Sequence, residues 1–223
     1  MPKPLPSVLQ VSGLCFAYPG QTALFADWRV DLPAGLTLLD GDIGKTTLMR
    51  LLAGELAADA GELTLAGHRL AAEPLDYRQH CCWFDPRDPA WDAMTPEAMM
   101  AAQRALHPGL DLAAWRRHLA GFDLTPHLAK PMYALSTGSR RKAGLAAALA
   151  TGAALTLLDE PCAGLDPPSL AYLARALNDA ARAARAAHAA HAAHQPARAL
   201  LLAGGQALEG LALAGVIQLA DLR

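Results

Sequence analysis

The stretch Leu38–Leu52, L-L-D-G-D-I-G-K-T-T-L-M-R-L-L, constrains the fold more than any other. An apolar strand end runs into a tight glycine-containing turn, and the turn opens a helix that places Leu48, Leu51 and Leu52 on one face. Gly44-Lys45-Thr46 at a helix start is phosphate-cradling chemistry. Helix-start amides face an anion, the lysine reaches the terminal phosphates, and the threonine hydroxyl meets Mg²⁺. The full pattern, G-x-x-x-x-G-K-[ST], asks for a glycine five places before Gly44, where this chain has Leu39. With Gly41 as the first glycine, the turn Gly41-Asp42-Ile43-Gly44 is two residues short.

A strand–turn–helix of this kind needs a buried sheet, and the chain can build one. Its 223 residues fit one large domain or a core with a small insertion, and 53% of them are apolar, which argues against global disorder. A net charge of −2 supplies no electrostatic reason to expect nucleic acid or an anionic membrane surface as partner. Cys15, Cys81, Cys82 and Cys162 form neither a C-x-x-C pair nor a zinc spacing, and read as reduced core residues. Met1–Pro6 holds three prolines and no apolar leader core. Two long apolar stretches, Ala143–Leu158 and Ala199–Ala220, are broken by Thr151-Gly152 and by Gly204, Gly205, Gln206, Glu209 and Gly210. Neither reaches the roughly 20 uninterrupted apolar residues of a membrane span. The chain therefore reads as a soluble core whose contact with a membrane runs through a partner.

Along the chain, Val8–Tyr18 and Ala23–Leu32 are strand candidates, ended by Pro19-Gly20 and Pro33-Ala34-Gly35. Leu36–Leu39 is a short buried strand, and Glu62–Leu70 a hairpin or edge strand around Gly67. From Glu73 to Tyr133 the chain shows helix starts in place of strands: Thr95-Pro96-Glu97, Asp111 before Leu112–Ala120, and Thr125-Pro126. This predicts a small helical subdomain over 73–135 inserted in a single domain over 1–223. Ser136 caps a helix to about Ala150, a strand follows at Ala154–Leu158, and Asp166-Pro167-Pro168 starts a long helix. Strands at Ala199–Ala203 and Val216–Leu219 complete the set. Arg182, Arg185, His188, His191 and His194 recur every three residues, so on a helix they spiral and present no single face to a metal or a nucleic acid.

Two further motifs carry chemistry. Leu155–Glu160, L-T-L-L-D-E, is an apolar strand that presents Asp159 and Glu160 at its C-terminal edge, where α/β sheets place ligands. In a phosphate site the first carboxylate suits Mg²⁺ through water, and the second suits an attacking water. Leu135–Arg141, L-S-T-G-S-R-R, offers a hydroxyl and helix-start amides to an anion, or is an ordinary N-cap.

The order phosphate turn, helical insert, L-S-T-G-S, apolar strand with D-E-P, then Ala163-Gly164-Leu165-Asp166 resembles the ATP-binding cassette (ABC) ATPase family from about Val8 to Ala203. The resemblance implies an α/β fold with a P-loop NTPase-type core sheet and flanking helices, an N-terminal antiparallel β portion and the inserted helical subdomain. It implies ATP and Mg²⁺ as cofactors. Gly41, Asp42, Ile43, Gly44, Lys45, Thr46 and Thr47 would hold phosphates, and Tyr18, in F-A-Y-P-G, would stack on adenine. Thr46 and Asp159 would serve Mg²⁺, and Lys45 and Glu160 would be catalytic. Ser136 and Gly138 would complete the nucleotide site of a second cassette arranged head to tail. The chain departs from the family pattern in its short turn, in Phe84 where a glutamine is expected, and in Gly204 where a switch histidine is common.

Two functions follow from this resemblance. One is an ATP-hydrolysing cytosolic subunit, peripheral to the membrane, that energises a separate membrane-spanning transporter partner; Trp83, Phe84, Trp91 and Met94 would receive that partner, or else form local core. The other is a degenerate nucleotide-binding or structural subunit with little hydrolysis, lending Ser136 and Gly138 to a partner cassette. No nucleic acid is expected.

Overall fold

The strands sort into two sheets by the direction in which they pair. The computed structural model describes residues 7–85, 89–189, 197–204 and 208–219. Met1–Pro6, His191, His194 and the Gly205-Gln206 pair of the sequence analysis lie outside them. Four strands form an antiparallel sheet in the order β2-β1-β4-β5: β1 (Leu9–Phe16), β2 (Phe25–Leu32), β4 (Ala60–Leu65) and β5 (His68–Arg69). Five form a parallel sheet in the order β6-β7-β8-β3-β9: β3 (Gly35–Asp40), β6 (Cys81–Phe84), β7 (Leu155–Asp159), β8 (Ala199–Ala203) and β9 (Leu213–Gln218). The antiparallel strands mix buried and exposed residues, whereas β7 and β8 are buried at every position.

That continuous burial serves two cores at once, because successive side chains of a strand point to opposite faces. Leu36, Leu158, Leu200 and Leu202 face one core, with the helices α3 (Pro96–Leu106), α4 (Leu112–Gly121), α5 (Thr137–Ala150) and α6 (Pro167–Ala189). Leu39, Leu155, Leu157 and Leu201 face the other, where α1 (Lys45–Leu52) lies between the parallel sheet and the antiparallel one. Leu48, Met49, Leu51 and Leu52 of α1 are all fully buried there, so the sheets fix α1 and with it the turn that precedes it.

Helix starts follow the expected caps. Thr95 Oγ1 accepts from the Ala98 amide, and Asp111 Oδ1 accepts from the Ala113 and Ala114 amides. The segment 73–135 is not helical throughout. After the short helix α2 (Pro74–Gln79), β6 pairs in parallel with β7, Cys81 opposite Leu155 and Phe84 opposite Leu158, and is an edge of the central sheet. C-C-W-F is too short for alternation to show, which is why it escapes a sequence reading. Among the described residues, no helix is long and apolar enough to cross a membrane. Within α6, Arg182 points outward to Asp179 while Arg185 donates to the Ala212 carbonyl at 3.3 Å, consistent with a spiral of basic residues.

Candidate active site

The C-terminal ends of three neighbouring strands meet at one edge of the parallel sheet. Ala203 of β8 lies opposite both Leu39 of β3 and Asp159 of β7, so the phosphate turn and the carboxylate pair flank the end of β8. From the start of α1, Thr46 reaches across β8: its Oγ1 donates to Asp159 Oδ2 at 2.7 Å. These are the two residues assigned to Mg²⁺ from sequence, 113 positions apart. Asp159 is 1% exposed, and Thr46 is half-buried. A hydroxyl and a carboxylate at this separation, beside a helix N-terminus, are the oxygen donors a hard cation with a phosphate partner uses.

The turn before α1 is built from Gly41 and Gly44, both at positive φ, 129° and 89°. At Gly41 this is obligatory, because a Cβ would also come 2.8 Å from Cβ of Leu219. The first amides of α1 have no carbonyl within the helix to receive them, which makes this end an anion cradle. The short turn partly fills itself, however. Lys45 Nζ folds back to donate to the Gly41 carbonyl, and the Gly41 amide donates to its neighbour Asp40 Oδ1 at 2.9 Å. Asp42 and Ile43 point to solvent, Ile43 at 65% exposure.

Glu160 follows Asp159 at φ 45°, a left-handed conformation rare for a side chain of this kind. Its amide donates to the Ala203 carbonyl at 3.1 Å, and its carboxylate lies against Gly204. A Cβ at Gly204 would come 2.3 Å from Glu160 Oε2. The glycine at the histidine position therefore makes room for the acid, a link that no spacing in the sequence discloses. Beside it, burial and the Glu160 charge push the Cys162 thiol up to about 11, so it stays protonated.

Tyr18 stands against the first turn of α1. Its ring meets Phe16 edge-on with centroids 4.9 Å apart, and its hydroxyl shares a 3.1 Å hydrogen bond with Thr47 Oγ1. The aromatic and the phosphate helix are thus tied together.

Ser136 and Gly138 lie at the start of α5, where Gly138 packs on the Ala163–Asp166 loop. Ser136 Oγ accepts from the Ser139 amide at 3.1 Å, the ordinary capping role. A Cβ at Gly138 would come 2.5 Å from the Gly164 carbonyl oxygen, so a larger residue would push the two segments apart. Lys142 donates to Asp166 Oδ2 at 2.8 Å, and Asp166 Oδ1 accepts from the Ser169 amide at 2.8 Å. The Lys142 and Ser169 hydrogen bonds hold the Asp166 carboxyl down to about 2.

Of the apolar group Trp83, Phe84, Trp91 and Met94, the structure brings three together along a cleft of about 440 Å³ between β6, α2, α3 and α5, with Leu75 and Leu106 exposed at its mouth. Met94 is not among its lining residues. Phe84 belongs to the core, its ring resting on Gly144 of α5. Leu75 and Leu106 have no sequence signal beyond hydrophobicity.

The "ABC transporter" family description matches residues 41–163, more than half of the chain. The cytochrome c biogenesis ATP-binding export protein CcmA of Rhodospirillum rubrum is 36% identical over 157 residues, which are 69% of this chain and 67% of that protein. The phosphonates import ATP-binding protein PhnC 2 of Albidiferax ferrireducens is 30% identical over 184 residues, 74% of this chain and 66% of its own length. The chain thus matches about two-thirds of the length of these relatives. Among solved structures, an ATP-binding subunit of an ABC transporter superposes with a TM-score of 0.72 at 22% identity, covering 88% of this chain and 80% of that one, a likeness of fold. The matched segment carries the phosphate turn at its start and the Asp159-Glu160 strand end near its close, and a match of that extent shows that the chain belongs to the ABC transporter family.

Proposed function

We propose that the chain is a nucleotide-binding cassette that takes Mg-ATP at the turn Gly41–Thr47 and hydrolyses it slowly to energise a membrane-spanning partner. The observation that carries this reading is the 2.7 Å hydrogen bond between Thr46 and Asp159 at the end of the parallel sheet. The residues present fit the cofactor. Thr46 and Asp159 offer the oxygens for Mg²⁺, the α1 amides face the phosphates, and Tyr18 offers a ring for adenine. Bound Mg²⁺ would neutralise phosphate charge. Glu160, exposed at the strand edge, is placed to orient and deprotonate a water. Lys45 leaves the Gly41 carbonyl to meet a phosphate, exchanging one hydrogen bond for a charge-assisted one.

Ser136 and Gly138 belong to the site of a second cassette, paired head to tail with this one. Support comes from their place at the start of α5, where Gly138 packs on Gly164 of the following loop. The cleft beside Trp83 and Trp91, with Leu75 and Leu106 at its rim, supports docking of an amphipathic segment of the membrane partner. In that assembly the cassette lies on the cytoplasmic side. The names of CcmA and PhnC 2 join ATP binding to export and to import respectively, so direction and cargo are left to the partner.

One observation favours the alternative of a cassette with little turnover. The short turn engages Lys45 and the Gly41 amide within itself, and two missing residues remove about 7 Å of contour. The test of nucleotide binding is thermal stabilisation by Mg-ATP: wild type is expected to shift upward and Lys45→Ala is expected not to. A wild type that shows no shift at millimolar Mg-ATP removes both readings.

A further inference from the structure

Away from the nucleotide edge, the β4–β5 hairpin and the start of α2 bring an imidazole and two carboxylates together. His68, Glu73 and Asp76 each offer one ligand atom, and these atoms lie within 4.8 Å of one another. His68 Nδ1 is 3.5 Å from Glu73 Oε2, and that nitrogen is buried with no hydrogen-bond partner. Ligands bound about 2.0–2.1 Å from one tetrahedral ion sit roughly 3.4 Å apart, so this pair already has the spacing of one edge of a coordination shell.

The supporting structure fixes all three. His68 follows a two-residue hairpin turn with Ala66 and Gly67 both at positive φ, 50° and 91°. Pro74 at the first position of α2 sets the direction of the helix that carries Asp76. The ring of His80 stacks on that of His68, centroids 4.8 Å apart and planes 25° apart, and His80 Nδ1 is bonded to the Asp76 carbonyl at 2.7 Å. A carbonyl only accepts, so Nδ1 carries the proton, and His80, the C-cap of the helix that carries Asp76, stacks against the plane of the His68 ring.

Neither carboxylate is explained by another duty. Glu73 occupies the N-cap of α2, yet no side-chain cap hydrogen bond forms there. Among the described residues, no lysine or arginine forms an ion pair with Glu73 or Asp76; nearby Arg69 pairs with Glu62, and Arg78 donates to the Gly54 carbonyl. Beyond the imidazole itself, no cationic side chain among the described residues pairs with these two carboxylates.

We propose that His68, Glu73 and Asp76 bind a divalent first-row transition-metal ion, Zn²⁺ or a close relative, which pins the β4–β5 hairpin to α2. The imidazole nitrogen sets the class, since Mg²⁺ and Ca²⁺ prefer oxygen alone. The site is separate from the Thr46–Asp159 pair and does not depend on nucleotide. Because α2 also carries Leu75 and Arg78 along the cleft, the ion stiffens one wall of that cleft.

The test is calorimetric titration of the full chain with Zn²⁺ in millimolar Mg²⁺, repeated with Co²⁺ to read the visible absorption of a coordinated ion. One ion is expected to bind per chain, and His68→Ala and Asp76→Asn are each expected to weaken it by ~10-fold or more. The rival ligands are the histidines at 188, 191 and 194. A triple glutamine variant at those positions is expected to keep the binding. Binding that survives both His68→Ala and Asp76→Asn, disappears in the triple variant, or is absent from wild type overturns the proposal.

Discussion

Thr46 donates its hydroxyl to Asp159 at 2.7 Å, across the end of a strand that belongs to neither residue. The bond joins the helix after β3 to the end of β7, so the fold must close correctly before it can form. Asp159 is buried, and losing the donor leaves a carboxylate short of one hydrogen bond. Thr46→Ala should therefore lower unfolding stability by about 1–3 kcal/mol without nucleotide, while Thr46→Ser should hold most of it. Urea midpoints of the two variants decide the point; equal midpoints would mean that the bond carries nothing.

Gly204 gives a second prediction. Any side chain there must displace the Glu160 carboxylate, and the positive φ of 74° adds strain for residues other than glycine. Gly204→Asn tolerates that φ better than Gly204→Ala but meets the same acid. If displacement of Glu160 is what matters, both variants lose ATP turnover alike, while Gly204→Ala loses more stability. A Gly204→Asn protein with wild-type turnover would show that the position of Glu160 over Gly204 is irrelevant to activity.

The length of the phosphate turn can be tested by repair. Inserting Ser-Gly between Gly44 and Lys45 restores the G-x-x-x-x-G-K-T spacing from Gly41 and gives Lys45 a path away from the Gly41 carbonyl. Loss of one electrostatic element in a phosphoryl-transfer site costs ~10²–10³ in rate, so the repaired turn should raise turnover by a comparable factor. Unchanged turnover in a repaired chain that binds ATP would move the cause elsewhere.

Acid stability should fall in two windows. Burial pushes His118 down to about 4, so the unfolded chain takes up that proton first; stability is full above about 6.5 and declines as pH falls towards 4. Asp166, held down to about 2, contributes stability that is full above about 4 and lost as pH falls through 2. Asp166→Asn keeps a capping side chain but removes the charge, and should flatten the lower window only. Chemical denaturation at closely spaced pH values separates the two.

Much of this was legible in the chain itself. Leu155–Glu160 announces a buried strand because four apolar or β-branched residues end in two acids, and Thr95, Asp111 and Ser136 announce helices because their oxygens match the orphan amides of a first turn. Cys81–Phe84 was not legible, since four residues are too few to show a period and Gln79-His80 before them carry no turn signal. The contacts that define the site's state were invisible for a different reason. Glu160 over Gly204 and Tyr18 on Thr47 depend on how strand ends converge, and adjacency in space leaves no spacing rule in sequence. The His68, Glu73 and Asp76 cluster is of the same kind, formed only when a hairpin meets a helix.

The central claim, that this cassette turns over ATP through Glu160, rests on one comparison. Purified wild type and Glu160→Gln are incubated with Mg-ATP, and released phosphate is measured alongside nucleotide binding. The account predicts slow release by wild type, none above background by Glu160→Gln, and binding by both. Equal phosphate release from the two proteins would contradict it.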